Sequence, residues 1–196
     1  MSTIRSILYS KLAAIVVSFT LFNSTAHALE DLEPEVKKEV TCLAKNIYYE
    51  AGLEHYEGQL AVAQVTVNRT ENSKFPDTIC GVVNQKTKVS SGKLVCQFSW
   101  VCEQNRRGIN YSSDRWYNSL KIAKDVVLDG LRLETLDDAL FFHNTHVSPG
   151  WGLERVAKIG GHVFYSNDRV RSKHSHQPKI QKTKSKSIRH KNKRHR

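Results

Sequence analysis

A single carboxylate, Glu50, stands where two apolar helical patterns meet. Apolar residues precede it at Ile47, Leu43, Val40 and Val36, in steps of three and four, which is the period of a helix face turned towards the core. A carboxyl group on such a face is partly removed from water, and burial raises its pKa because the charged form is disfavoured. A carboxyl group that keeps its proton near neutral pH can act as a general acid. The alternative is that Glu50 lies in water just beyond the end of the helix.

Two more acids, Glu54 and Glu57, follow four and seven residues after Glu50. If one of them reaches the same site, a glycosidase with paired carboxylates becomes possible. Gly52 predicts that the helix ends between Glu50 and these two acids. This favours a structural role for Glu54 and Glu57, at the corner or at the start of the next helix. Glu54 remains a candidate for substrate binding.

Three histidines, His143, His146 and His162, raise the question of a metal site, since three imidazoles can bind zinc and activate water. However, His143 and His146 span a predicted strand end and turn, and no carboxylate ligand lies nearby in the sequence. We therefore expect no metal and no cofactor, and we interpret His143 as part of a cleft wall. A serine nucleophile is not favoured either, since no GxSxG motif occurs.

All four cysteines follow residue 28, and an even number in an exported domain predicts disulfides. We favour the pairs Cys96–Cys102 and Cys42–Cys80. A four-thiolate zinc site is the alternative, although the paired CxxC spacing is missing.

Aromatic and polar side chains alternate on the loop that the shorter disulfide would enclose. Gln97, Ser99 and Trp100 lie there, and aromatic faces beside hydrogen-bonding groups suit a sugar ring. Ordinary core packing of Phe98 and Trp100 is the alternative.

Composition divides the chain into three parts. Residues 1–28 resemble a secretory signal peptide, with Arg5 and Lys11 before an apolar run and Ala26-His27-Ala28 as a cleavage site, although an uncleaved anchor is possible. Residues 29–168 are predicted to be the folded domain. Residues 169–196 contain 12 Lys and Arg and no acid, and so account for the formal charge of +11. We expect this basic tail to be disordered. It either is solvated and has no specific partner, or binds an anionic envelope polymer rather than nucleic acid.

Periodicity and turn signals predict an α+β fold that is mainly helical. The predicted helices run from Pro34 to Tyr49, from Gln59 to Arg69, and from Arg115 to Asp129 with Asp114 as N-cap and Gly130 at the end. A strand is predicted from Ala139 to His143, and a hairpin joins Ala157–Ile159 to His162–Tyr165 through Gly160-Gly161. Residues 70–113 are rich in loop signals.

Several stretches resemble the SleB-type cell wall hydrolase domain of the spore-cortex-lytic enzyme family, over about residues 41–166. They are Ile47-Tyr48-Tyr49-Glu50-Ala51, Glu54, Glu57-Gly58-Gln59, Ala61-Val62, Val67-Asn68-Arg69, Pro76, Ile79-Cys80-Gly81-Val82-Val83, Cys96-Gln97-Phe98-Ser99, Phe142-His143, Pro149-Gly150-Trp151 and Ile159-Gly160-Gly161-His162-Val163-Phe164-Tyr165. The chain departs from the family at Gly52-Leu53, where Arg-Gly is common.

The resemblance implies a lysozyme-like fold with a small β-hairpin, related to lytic transglycosylases. It also implies cleavage of the peptidoglycan glycan strand between N-acetylmuramic acid and N-acetylglucosamine, with Glu50 as the catalytic acid. We expect an exported monomer that acts in the periplasm or the cell wall. A metal-dependent N-acetylmuramoyl-L-alanine amidase and a non-catalytic peptidoglycan-binding module are the alternatives. The candidates for the cleft wall are Gln97, Ser99, Trp100, His143, Trp151 and Tyr165.

Overall fold

The computed structural model describes residues 29–104 and 106–167, and the predicted signal peptide and basic tail lie outside them. In chain order, the elements are a 3₁₀ turn (Leu29–Asp31), helices α1 (Pro34–Ala51), α2 (Tyr56–Thr70) and α3 (Ile79–Val83), strands β1 (Lys86–Lys88) and β2 (Leu94–Cys96), helices α4 (Ser99–Cys102) and α5 (Asp114–Leu128), a 3₁₀ turn (Glu134–Leu136), and strands β3 (Ala139–Asn144), β4 (Glu154–Ile159) and β5 (His162–Ser166). The predicted α+β class is confirmed, and helices contain more residues than strands. Within the described ranges, no helix combines the length and apolar character needed to cross a bilayer.

Helix α1 follows its sequence pattern closely. Pro34 occupies the first turn, where its missing N–H costs nothing, and Glu35 lies beside it at the positive end of the helix dipole. Val40, Leu43 and Ile47 are fully buried. The predicted apolar stripe is therefore the face that packs into the core, and Glu50 continues that stripe at the last turn.

Helix α2 is the central helix, as its apolar residues on every side predict. It is buried from Gly58 to Arg69. One side packs with α1, α3 and α5, and the other side packs on the sheet. Two of its buried amide side chains bond to backbone groups: Gln64 exchanges two hydrogen bonds with Leu133, and Asn68 donates to the carbonyl oxygen of Ala139. These bonds fix α2 to the start of β3.

The predicted strand and hairpin combine into one antiparallel sheet in the order β3-β5-β4, which is larger than the hairpin that was expected. Ile159 pairs with His162, so Gly160 and Gly161 form the two-residue turn, and Gly160 has the positive φ of 55° that this turn requires. Phe142 lies opposite Phe164 on the face turned to α2. A second small hairpin, β1-β2, lies within the region predicted to be loop.

The predicted N-cap of α5 is wrong by one residue. Ser113 is the N-cap, because its hydroxyl accepts a hydrogen bond from the N–H of Trp116, and Asp114 is the first helical residue. Asp114 still favours the helix dipole from that position. The helix ends at Leu128, one residue before the predicted Asp129, which is the C-cap, and Gly130 follows in the left-handed region at φ 68°.

The four cysteines form two disulfides, Cys42–Cys80 and Cys96–Cys102, which is the pairing that the sequence favours. The first joins α1 to α3, where the Glu39 carboxylate also accepts hydrogen bonds from the N–H groups of Ile79 and Cys80. The second encloses α4, a single helical turn, so the predicted sugar-binding loop is partly helical.

Candidate active site

Glu50 lies in the last turn of α1 and is half-buried. Burial raises the pKa of its carboxyl from 4.5 to about 7, against the opposing effect of the Arg69 cation and with a further rise from the Glu103 anion. No side-chain hydrogen bond joins Glu50 to any other residue in the described ranges. Its carboxyl therefore carries a proton through much of the neutral range, which is the property that a general acid needs.

The end of α1 that carries Glu50 is held by α5. Arg115 donates a hydrogen bond to the carbonyl oxygen of Tyr48, and its guanidinium lies 4.1 Å from the centre of the Tyr48 ring. A Cβ at Gly52 would meet the Arg115 side chain and the Tyr48 carbonyl. Glycine at this position therefore leaves room for Arg115 to donate its hydrogen bond to the Tyr48 carbonyl oxygen. The last carbonyl groups of a helix have no N–H partner within the helix.

The open face of the sheet carries three of the predicted wall residues. The His143 Nε2 atom lies 3.0 Å from the Tyr165 hydroxyl, and the two rings stack with centres 5.3 Å apart. Trp151 packs edge-on against both of them and is 42% exposed. Phe141 lies under Trp151 on the same face. This cluster presents an accessible aromatic face beside polar groups.

The loop around α4 places its residues in two different environments. Gln97 and Ser99 are exposed, and the Ser99 hydroxyl lies 3.2 Å from a Glu103 carboxylate oxygen. Trp100, by contrast, is only 8% exposed: its indole N–H donates to Asn46, and its ring stacks on Tyr49. The core-packing alternative thus describes Trp100, because its polar N–H has a buried partner.

Arg69 connects the two parts of the site. Its guanidinium lies 5.4 Å from the ring centre of Phe98 on the α4 loop and 6.0 Å from that of Phe141 on the sheet. The same guanidinium interacts electrostatically with Glu50. Arg69 is therefore a cation that lies between the α4 loop and the sheet.

Glu54 lies in the α1–α2 corner, where it holds the turn of the β4–β5 hairpin. Its carboxylate accepts a hydrogen bond from the N–H of Gly161 at 3.0 Å, and it lies 3.9 Å from the His162 Nδ1 atom. A Cβ at Gly161 would stand 2.5 Å from the Glu54 carboxylate. Glu54 thus stabilises the corner after α1 by binding the hairpin turn, as the helix end near Gly52 predicts. Glu57 is exposed in the first turn of α2.

The three histidines do not converge. His146 is exposed in the turn after β3, and His162 is buried on the side of the sheet that faces Glu54, with a pKa lowered chiefly by burial. Among residues 29–104 and 106–167, no group of three or more His, Cys, Asp or Glu side chains is placed to hold a metal ion.

Two charged residues near Glu50 were missed by the sequence reasoning, Arg69 and Glu103. Arg69 belongs to one of the motifs that carry the family resemblance, but no pattern in the sequence indicated a partner for it. Glu103 directly follows Cys102, so the predicted disulfide and the neighbouring loop were the available signals. Neither signal indicated that both charges act on Glu50.

Most of the described part of the chain is similar to known proteins. The family model described as Cell Wall Hydrolase matches residues 53–165, which run from α2 to β5 and begin just after Glu50. The spore cortex-lytic enzyme of Bacillus subtilis (strain 168) is 29% identical over 133 residues, or 64% of this chain and 37% of that protein. The enzyme of the same name from Oceanobacillus iheyensis is 27% identical over 135 residues, or 65% of this chain and 41% of that protein. The chain thus spans less than half the length of these relatives.

Among solved structures, the catalytic domain of the germination-specific lytic transglycosylase SleB from Bacillus anthracis is similar, with a TM-score of 0.51 and 26% identity. The match covers 65% of this chain and 93% of that domain. The family model alone takes in more than half of the chain, and the fold and the predicted motifs agree with it. The chain therefore belongs to the cell wall hydrolase family of SleB-type proteins.

Proposed function

We propose that this protein cleaves the glycan strand of peptidoglycan between N-acetylmuramic acid and N-acetylglucosamine, with Glu50 as its catalytic acid. The observation that carries the proposal is the half-buried Glu50 carboxyl in the last turn of α1, where burial raises its pKa to about 7. Support also comes from membership of the cell wall hydrolase family and from the similarity to the catalytic domain of a lytic transglycosylase.

In the proposed reaction, Glu50 donates its proton to the glycosidic oxygen as the bond to the muramic acid anomeric carbon breaks. Positive charge develops on the sugar ring, and the carboxylate that remains on Glu50 then acts as a base. It removes the proton from the muramic acid 6-hydroxyl, which closes an anhydro ring, or from a water molecule, which gives a reducing end. The first route needs only one carboxylate.

The proposed groove runs between the α4 loop and the open face of the sheet. Trp151 offers an exposed ring for the apolar face of a sugar, and His143 and Tyr165 offer polar atoms next to it. Gln97 and Ser99 are exposed on the α4 loop. We leave Trp100 and Glu54 out of the groove, because the first is packed in the core and the second is bonded to the hairpin turn.

The test compares wild type, Glu50→Gln and Glu57→Gln on purified peptidoglycan sacculi. Gln cannot donate the proton, so we expect release of soluble muropeptides to fall by at least about 100-fold for Glu50→Gln. The matched control removes an exposed acid from the first turn of α2 and should behave as wild type. Retained release by Glu50→Gln would contradict the assignment.

Mass spectrometry of the products separates this proposal from its alternatives. Anhydro ends indicate transglycosylation, and reducing ends indicate hydrolysis. An amidase would instead release stem peptides and would be inhibited by a chelator, and a binding module would sediment with sacculi and release nothing.

We also propose that the protein is exported and acts as a monomer on the cell wall. The 12 Lys and Arg of residues 169–196 suit an anionic envelope polymer, and this attraction should weaken as salt is raised. Co-sedimentation of the full chain with sacculi over a series of salt concentrations, against a chain ending at residue 168, tests the role of the tail. Nucleic acid is not an expected partner in that compartment.

A further inference from the structure

A cavity of about 220 Å³ lies between α1, the end of α3 and the α4 loop. Two cations line it, Lys45 from α1 and Arg106 from the segment after α4. Its other walls include Cys42, Asn84 and Trp100, and none of the residues of the proposed groove takes part. Two side chains of the same charge thus share one cavity outside the groove.

Neither cation has an acidic partner. In the described part of the chain, no ion pair includes Lys45 or Arg106. Two acids on the adjoining elements are engaged elsewhere: Glu39 accepts hydrogen bonds from N–H groups of α3, and Glu103 lies 3.2 Å from the Ser99 hydroxyl. Like charges that share a site repel each other unless an anion offsets them. The cavity therefore favours an anion.

The guanidinium of Arg106 is held in place by aromatic rings. It lies 5.5 Å from the ring centre of Tyr49 and 5.8 Å from that of Trp100. These two rings stack with centres 4.6 Å apart, and the Trp100 indole is fixed by its hydrogen bond to Asn46. Aromatic faces attract a guanidinium without using its N–H groups. Arg106 is therefore positioned by packing, while its N–H groups remain available for the planar, bidentate pairing that a carboxylate offers.

The wall beside Lys45 is also fixed. Cys42, one turn earlier on α1, is joined by a disulfide to Cys80 of α3, and the Asn84 side chain donates to the Cys80 carbonyl oxygen. A site whose walls are already ordered loses less conformational freedom when a ligand binds. The cavity is thus a preformed site.

We propose that this cavity binds a carboxylate of the peptidoglycan stem peptide, with Arg106 and Lys45 as its cationic contacts. The choice of ligand rests on the proposed function. Stem peptides are attached to muramic acid and carry free carboxylates. Lys45 precedes Glu50 by five residues on the same helix, a rise of about 7.5 Å. An extended peptide of four residues spans about 13 Å, so a stem peptide on a strand bound at Glu50 is long enough to reach the cavity.

The first test measures binding of a disaccharide-tetrapeptide, prepared from sacculi, to the full chain before and after the ligand's carboxylates are converted to amides. For the wild type, we expect amidation to weaken binding about fivefold. Arg106→Gln and Lys45→Gln should each reduce this ratio, because each removes one of the two charges. Arg107→Gln is the matched control, a neighbouring exposed arginine that does not line the cavity, and it should keep the wild-type ratio.

The basic tail is the same in every variant, so its attraction for the ligand cancels when these ratios are compared. Equal affinity of the wild type for both forms of the ligand would overturn the proposal, and so would an equal loss in Arg107→Gln. Glycerol 3-phosphate tests the other common oxyanion. If its binding depends on Arg106 while amidation has no effect, the site takes phosphate and the carboxylate assignment is wrong.

The second test locates the bound ligand. The indole N–H resonance of Trp100, which lines the cavity, is followed by NMR during the same titrations, with that of Trp116 as the control outside the cavity. The acidic ligand should shift the Trp100 resonance and leave that of Trp116 in place, and the amidated ligand should shift Trp100 less at the same concentration. An unmoved Trp100 resonance at saturation would overturn the proposal.

This proposal and the proposed function fail differently. If Glu50→Gln retains activity while amidation still weakens binding, the carboxylate site stands and the catalytic assignment of Glu50 is wrong. If Glu50→Gln is inactive and amidation has no effect on binding, the catalytic assignment stands and the carboxylate site is wrong.

Discussion

Replacing Glu50 by Gln removes a half-buried ionisable group and keeps the shape of the side chain. The variant therefore measures how much the ionisation of Glu50 lowers the free energy of unfolding. Burial raises the pKa of this carboxyl from 4.5 to about 7. At about 1.4 kcal/mol for each pH unit, that rise corresponds to about 3 kcal/mol of stability lost when Glu50 is fully ionised.

The sign follows from the direction of the pKa shift. Below about pH 4, Glu50 is protonated in both the folded and the unfolded protein, so its ionisation costs nothing. Between the two pKa values the unfolded chain releases the proton more readily, and the cost grows until it is complete above the folded value. We expect Glu50→Gln to match the wild-type free energy of unfolding near pH 4 and to exceed it by about 3 kcal/mol at pH 8.

Urea unfolding at pH 4, 6 and 8, with both disulfides intact and the slope compared between variants, measures this difference. Glu57→Gln is the control, because Glu57 is exposed one turn into α2 and its replacement should add no pH-dependent stability. A stability gain for Glu50→Gln that is the same at every pH would contradict this prediction, since packing and not ionisation would then be its cause.

Two further predictions concern what holds the site together. Gly161→Ala should lower the free energy of unfolding by about 1–3 kcal/mol, because the new Cβ would stand 2.5 Å from the Glu54 carboxylate. The double variant with Glu54→Ala should lose less stability than the sum of the two single variants. Gly108→Ala is the control in the same urea assay and should be nearly neutral, because its Cβ would meet nothing within 4 Å. Additive costs would contradict the contact. Replacing Cys42 and Cys80 by Ser should lower the free energy of unfolding by about 4 kcal/mol, since their disulfide closes a loop with a sequence separation of 38. An unchanged thermal midpoint in this variant would contradict the prediction.

Much of the fold could be predicted because it rests on local patterns. The stripe through Val40, Leu43 and Ile47 defines the buried face of α1, and the apolar residues around α2 predict a central helix. The two-glycine turn between β4 and β5 is likewise visible in the sequence. Ser113 was missed as the N-cap of α5 because Ser and Asp stand side by side there, and both residue types are good caps.

The apolar period along α1 predicts which of its faces is buried, and with it the partial removal of Glu50 from water. The family motifs are also visible along the chain, because they are runs of neighbouring residues. Three features depend instead on how the elements pack: the charges that act on Glu50, the exposure of each tryptophan, and the bond from Glu54 to a turn 107 residues away. Helical period and turn chemistry depend on neighbours along the chain, whereas a charge or a hydrogen bond acts through space.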